Sequence, residues 1–240
     1  MDQYLSLPPE LASKKVSVSL VGCGGNGSSM LTNLARLNHA LIQLNHPGLH
    51  VTAYDGDFVS TSNVGRQCFF APDIGRPKSS TLIQRFNLCF GTRWRAVDSD
   101  YQHKFSEDMI IVCVDSAKSR KEVSDTIEQS NVVLMDLGNG PDFGQVLMGG
   151  FDDLPSPYEQ LPSLIDLSSE DTQMPTCSAD EALSRQELFV NSMAATLASQ
   201  LLWELFRKGR TNKAGFYFNL NTGKTLPVSV LSVRNNGGAK

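Results

Sequence analysis

The chain has no CxxC pair, no histidine cluster and no excess of positive charge. Its five cysteines, Cys23, Cys68, Cys89, Cys113 and Cys177, are scattered and odd in number. That pattern predicts neither a structural zinc site nor a disulfide framework, and it suits reduced thiols in a cytoplasm. The four histidines, His39, His46, His50 and His103, form no metal-spaced set. With 21 Lys and Arg against 25 Asp and Glu, the net charge is −4, so nothing global points to nucleic acid. No apolar run approaches the roughly 18 residues of a membrane span. The opening MDQYLSLPPELASKK lacks the basic start and apolar stretch of a secretory signal. What is present is 240 residues, 40% of them hydrophobic, enough for a proper core.

Strand-like and helix-like stretches alternate along the first part of the chain. VSVSLV at 16–21, LHVTAYD at 49–55, WRAV at 94–97, MIIVCVD at 109–115 and NVVLMDLG at 131–138 read as strands. Helices are expected at 28–44, 77–90 and 117–130, the second with proline near its first turn. Nearly solid apolar strands alternating with helices predict an α/β fold, a doubly wound and mostly parallel sheet with helices on both faces. FGQVLMGGF, 143–151, is a further strand leaving this unit. Residues 151–181 hold eight acids and no Lys or Arg, and they read as an acidic crossover loop. A long helix is expected over 179–209, with Asp180 and Glu181 near its start and Arg207 and Lys208 near its end, the polarity a helix dipole favours. Residues 214–230 read as a hairpin turning at Asn221–Gly223, and the tail NNGGAK as disordered. The chain is thus read as one domain, 1–240. Its nucleotide-binding half is 16–140, its acidic crossover 151–180, and its C-terminal helix and hairpin 181–230.

The chemistry starts at LVGCGGNG. Gly22, Gly24 and Gly27 fit G-x-G-x-x-G between a strand and a helix, where backbone can approach a phosphate and the helix N-terminus offers free N–H groups. A nicotinamide dinucleotide and ATP both suit such a loop. Asp55, closing the second strand, can accept from ribose hydroxyls in either case, and Asp57 is a turn residue or a second polar anchor. SNVGRQCFFAPDIGRPK, 62–78, separates the two readings. Asn63, Arg66, Gln67 and Lys78 are phosphate-binding types, and a departing pyrophosphate needs that charge neutralised. Asp115 closes the central strand on the sheet edge shared with Gly22 and Asp55. It can hold Mg²⁺ against phosphate oxygens or cap the following helix, and Arg120 is placed to orient it.

Taken in order, G-x-G-G-x-G (Gly22–Gly27, including Gly25), D-x-D (Asp55–Asp57), S-N-x-x-R-Q (Ser62–Gln67), G-x-P-K (Gly75–Lys78) and D-S-x-x-x-R (Asp115–Arg120) resemble the ThiF/MoeB and ubiquitin-activating-enzyme superfamily. The segment from DTQMPTCSADEALSRQ to the end of the long helix resembles, more narrowly, ThiF-family proteins of the PRTRC plasmid-associated system, which are bacterial. The resemblance implies adenylation of the C-terminal carboxylate of a small ubiquitin-like, β-grasp protein by ATP and Mg²⁺. It implies that Asp55 binds the ribose, that Asn63, Arg66 and Lys78 hold the phosphates, that Gln67 supports the loop and that Asp115 holds the metal. Homodimerisation is implied as well. The paired CxxC motifs that hold zinc in related enzymes are absent, so no zinc is expected. The N-terminus also lacks the arginine that many relatives send across the dimer. PTCS, 175–178, resembles the P-x-C-T context of a thioester-forming cysteine, which would make Cys177 a nucleophile. A cysteine in a loop without a covalent role is the other reading. Two further functions stay open: a nicotinamide-dependent oxidoreductase, and a non-catalytic nucleotide-binding scaffold. The first lacks a convincing His or Tyr–Lys arrangement. The second sits poorly with phosphate and metal positions filled by competent residues.

Overall fold

The computed structural model of the chain describes residues 3–102, 107–127, 132–169 and 186–237. Cys177, Asp180 and Glu181 lie outside the described residues. Ten strands are present among them: β1 Leu5–Ser6, β2 Val16–Val21, β3 Leu49–Tyr54, β4 Arg95–Val97, β5 Met109–Val112, β6 Val133–Asn139, β7 Phe143–Gly149, β8 Arg210–Thr211, β9 Lys213–Asn219 and β10 Lys224–Ser229. The helices are α1 Gly25–Gln43, α2 Lys78–Phe90, α3 Ala117–Ile127, α4 Pro157–Gln160, α5 Val190–Lys208 and α6 Val230–Gly237.

Eight strands form one sheet in the order β10-β9-β7-β6-β5-β2-β3-β4. β6, β5, β2, β3 and β4 run parallel, and β7, β9 and β10 add an antiparallel flank. The parallel part matches the doubly wound expectation. The chain builds outward from β2 through β3 to β4, then returns to the other side of β2 as β5. That reversal opens a crevice at the carboxyl ends of β2 and β5, where ligands of such sheets bind.

Side-chain alternation assigns the two faces. Met109 and Ile111 of β5 and Val133, Met135 and Leu137 of β6 join the large core with α1, α2 and α5. Ile110, Val112 and Leu134 face the other way, toward Val123 and Ile127 of α3 and Tyr158 of α4. α1 buries Met30, Leu31, Leu34, Leu37 and Leu41, three- and four-residue steps that make one apolar stripe. α5 answers with Ala194, Ala195 and Ala198, all fully buried; these small residues let the two helix axes approach closely. Gly209, at φ 68°, closes α5 in the left-handed region after Arg207 and Lys208, as a C-terminal cap favours.

Four expectations need correction. The strand read as 109–115 stops at Val112, because the chain bends there to reach α3. The long helix is not continuous up to Val190, where it starts among the described residues; 179–185 lie outside them, and Gln186–Phe189 form turns that anchor to the β6–β7 hairpin through Glu187 N–H and Pro141 C=O at 2.7 Å. The crossover is not loop throughout its described part. Phe151, Leu154 and Tyr158 are buried, and α4 carries a capping box between Ser156 and Glu159. The tail read as disordered is helical through Gly237, held in part by Arg234, which donates to Tyr4 C=O at 3.1 Å.

Candidate functional site

The glycine loop joins β2 to α1 at the crevice. Gly22 has φ 89°, and a Cβ there would meet the Cys113 carbonyl group at 3.0 Å. Gly27, in the first turn of α1, passes so close to the loop that a Cβ would lie 1.9 Å from Gly22 O. These two glycines therefore serve packing of loop, helix and β5. At Gly25 a Cβ would strike the Asn191 side chain at 2.5 Å. Gly24 differs: a Cβ there would find only Gln67 Nε2, at 4.0 Å. Gly24 is the N-cap of α1, with no side-chain cap and no acidic residue in the first turn. The unpaired N–H groups of this helix start are open to an anion. Cys23, within the loop, is buried, and burial raises its thiol far above the usual range. It is a packing residue.

Asp55 follows β3 and is wired to the loop. Its Oδ2 accepts Cys23 N–H at 2.6 Å, and its Oδ1 accepts Asp57 N–H at 2.8 Å. Burial pushes its carboxyl up, and the two N–H donors and Lys78 pull it back. Each oxygen keeps a lone pair for a further donor. Lys78 opens α2 with its side chain only 10% exposed, and its Nζ lies 2.8 Å from Oδ2 of the mostly exposed Asp57. Asp57 is thus the counter-ion of Lys78, a pairing the sequence did not suggest.

Asn63 is buried in a short 3-10 turn, where its Oδ1 accepts Ser60 N–H and its carbonyl accepts Gln67 N–H, both at 2.9 Å. Arg66 and Gln67 are half-buried beside it. Arg66 Nη1 donates to Gln186 Oε1 at 3.0 Å, while its Nε is buried without a partner. Gln67 Oε1 is likewise buried and unpartnered. Among the described residues no carboxylate pairs with Arg66, and burial lowers its guanidinium from the ordinary value, not enough to discharge it. A half-buried cation with an orphaned donor is suited to an anion.

Asp115 stands past the end of β5 with its carboxylate exposed. It does not cap α3: Ser116 does, its Oγ accepting Ser119 N–H at 3.1 Å. Arg120 does not orient the Asp115 carboxylate either. Its Nη1 donates to the Asp115 backbone carbonyl at 3.3 Å, its Nη2 to Leu137 C=O at 3.5 Å, and its Nε to Asp136 Oδ2 at 3.0 Å. Asp136 is fully buried in β6 and also accepts from Tyr158 OH at 3.4 Å. Burial raises its carboxyl, and the Arg120 charge opposes that rise. Arg120 therefore pins the β5–α3 turn to β6 and fixes where Asp115 stands. An aspartate inside the apolar run VVLMDLG was the available signal for this cluster. Among the described residues no group of three or more His, Cys, Asp or Glu is placed to hold a metal. A lone carboxylate suits Mg²⁺, which keeps its waters and shares phosphate oxygens.

The parallel sheet, its switch-point crevice and the uncapped start of α1 define a Rossmann-type α/β domain. The chain belongs to the ThiF family, whose model matches residues 10–237. It is 28% identical over 137 residues to the mouse ubiquitin-like modifier-activating enzyme 6, covering 52% of this chain and 13% of that protein. It is also 28% identical over 130 residues to the adenylyltransferase and sulfurtransferase UBA4 of Yarrowia lipolytica, covering 51% of this chain and 30% of that protein. Among solved structures, E. coli MccB with succinimide superposes with a TM-score of 0.66 at 16% identity, over 92% of this chain and 65% of that one. MccB with ATP gives 0.64 at 16% identity, over 91% and 65%. The chain thus spans less than a third of the two curated relatives and about two thirds of the MccB chains. No described helix is long and apolar enough to cross a membrane.

Proposed function

We propose that this chain is an ATP-dependent adenylyltransferase that activates the C-terminal carboxylate of a small ubiquitin-like protein. The observation that carries the reading is Arg66, a half-buried cation with no described counter-ion, in the loop whose Gln67 adjoins the open N-cap of α1. The relatives support it: one is named for modifier activation and another for adenylyl transfer, and one matching structure holds ATP.

In this reading Asp55 uses the lone pairs left by Cys23 and Asp57 N–H to accept from the ribose hydroxyls. Arg66, Lys78 and Asn63 bind the phosphates, Gln67 lines the loop, and the backbone of Gly22–Gly27 receives the nucleotide along its open side. Asp115 is the carboxylate that would hold Mg²⁺, which supplies charge neutralisation at the phosphate oxygens when bound. A carboxylate oxygen of the partner attacks the α-phosphorus and forms the acyl–phosphate bond. The bond from that phosphorus to the bridging oxygen breaks, and pyrophosphate leaves with the electron pair. The attacking group is already ionised, so the residues have no proton to remove. Their work is bringing two anions together and neutralising charge.

A second step follows if the Cys177 thiolate attacks the acyl carbon, releasing AMP and leaving a thioester. The likeness to PRTRC-system proteins makes a ubiquitin-like protein of that system the first partner to try, and the family makes a homodimer the assembly to test. Incubation of the chain with ATP, Mg²⁺ and a β-grasp protein ending in glycine tests the reading. Hydroxylamine should trap the partner's C-terminus as a hydroxamate, seen by mass spectrometry only when ATP is present. Absence of the hydroxamate with every such partner would count against the proposal.

A further inference from the structure

Arg66 needs to be held without being neutralised, and the residue that holds it is Gln186. Gln186 precedes α5, and its carboxamide joins three parts of the site. Its Oε1 accepts Arg66 Nη1 at 3.0 Å and Asn191 Nδ2 at 3.3 Å. Its Nε2 faces Gly140 C=O at 3.4 Å. The orientation is fixed by chemistry, because guanidinium only donates. The oxygen must face Arg66, which leaves the amide NH₂ for the carbonyl of the β6–β7 turn. Asn191 in turn is buried against the glycine loop, where the Gly25 Cα approaches its side chain too closely for any Cβ. Arg66, the β6–β7 turn and the start of α1 are therefore tied through one neutral side chain.

We infer that Gln186 is a positioning residue whose lack of charge is what keeps Arg66 available to an anionic ligand. The inference rests on the nucleotide reading of the site. A glutamate of nearly the same shape would accept the same hydrogen bond and also supply a counter-ion at about 3 Å. Within a half-buried site the interaction of such a pair is several times stronger than in water. The guanidinium would then be spent on the protein, as Lys78 is partly spent on Asp57. The neutral amide gives geometry and leaves the charge.

This predicts a large effect on binding and a small one on stability. Q186E gains an ion pair with Arg66 and loses the Nε2 donor to Gly140 C=O, so it should melt within a few degrees of the wild-type chain. Its affinity for pyrophosphate and for MgATP should fall tenfold or more. Q186A frees Arg66 without neutralising it and should weaken both ligands only a few-fold. Calorimetric titration of the full chain with inorganic pyrophosphate and with MgATP, beside thermal melts without ligand, reads all of this. Wild-type affinity in Q186E would overturn the inference while leaving the nucleotide site standing. A Q186A chain that loses as much affinity as Q186E would also overturn it, since the added charge would then not be what weakens binding. A wild-type chain that binds neither ligand would overturn both the inference and the nucleotide reading beneath it.

Discussion

Replacing Arg120 by alanine removes the partner of a buried carboxylate, and the structure says how much that should cost. Asp136 has no exposed surface, Arg120 Nε lies 3.0 Å from its Oδ2, and the Arg120 side chain is 8% exposed. Without Arg120 the carboxylate keeps only the Tyr158 hydroxyl at 3.4 Å, and its Oδ1 already lacks a partner. Breaking a buried pair from one side costs about 3–5 kcal/mol, and the carbonyls of Asp115 and Leu137 lose a donor as well. The loss should depend on pH. Burial holds the Asp136 carboxyl above its usual value even with Arg120 present, and removing the cation raises it further. A folded-state pKa above the unfolded one means that the folded chain takes up the proton first. The penalty of R120A is therefore full above that raised pKa and shrinks as pH falls through it. Urea unfolding of R120A at neutral pH and at about pH 5, against wild type, measures both effects. The double variant R120M/D136L should recover much of the loss, because it removes the stranded charge. A loss below about 1 kcal/mol at neutral pH, or one that grows as pH falls, would refute this account of the pair.

Three shorter predictions complete the set, two from the geometry and the last, on Cys177, from the sequence resemblance alone. G27A should destabilise the fold by about 1–3 kcal/mol through overpacking, since its Cβ would sit 1.9 Å from Gly22 O; G24A, with nothing nearer than 4.0 Å, should unfold like wild type in the same urea titration. D115A should keep the wild-type melting temperature, because its exposed carboxylate has no hydrogen-bond partner among the described residues, yet lose hydroxamate formation. Full hydroxamate yield would remove Asp115 from the metal role. C177A should abolish any reducible conjugate with the partner while acyl-adenylate trapping continues; a conjugate that survives excludes Cys177 as the nucleophile.

Much of this was readable from sequence because its signals are local. Strand periodicity and the position of the glycines between VSVSLV and the Met30–Leu41 stripe follow from neighbours along the chain, so β2, α1 and the loop fell where expected. Arg66, Gln67 and Asn63 stood out because polar types cluster in one short stretch. What sequence could not show depends on contacts distant along the chain. Asp57 pairs with Lys78 only because the Asp55 turn and the start of α2 meet in space. Arg120 finds Asp136 on another element, so its role in placing the Asp115 backbone is invisible to spacing. Gln186 is one polar residue in a polar stretch until folding sets it against Arg66. The start of α5 was read too early because propensity continues through ADEALSRQELF, whereas the anchoring of Glu187 to Pro141 holds Gln186–Phe189 in turns.

The central claim is that the crevice between β2 and β5 carries out adenylyl transfer to a carboxylate. ATP–pyrophosphate exchange tests it most directly, since label enters ATP only if the adenylate forms reversibly. Exchange should require a β-grasp partner with an intact C-terminal glycine and should be lost in R66A. Exchange undiminished in R66A, or no exchange with any such partner alongside tight NAD(H) binding, would contradict it.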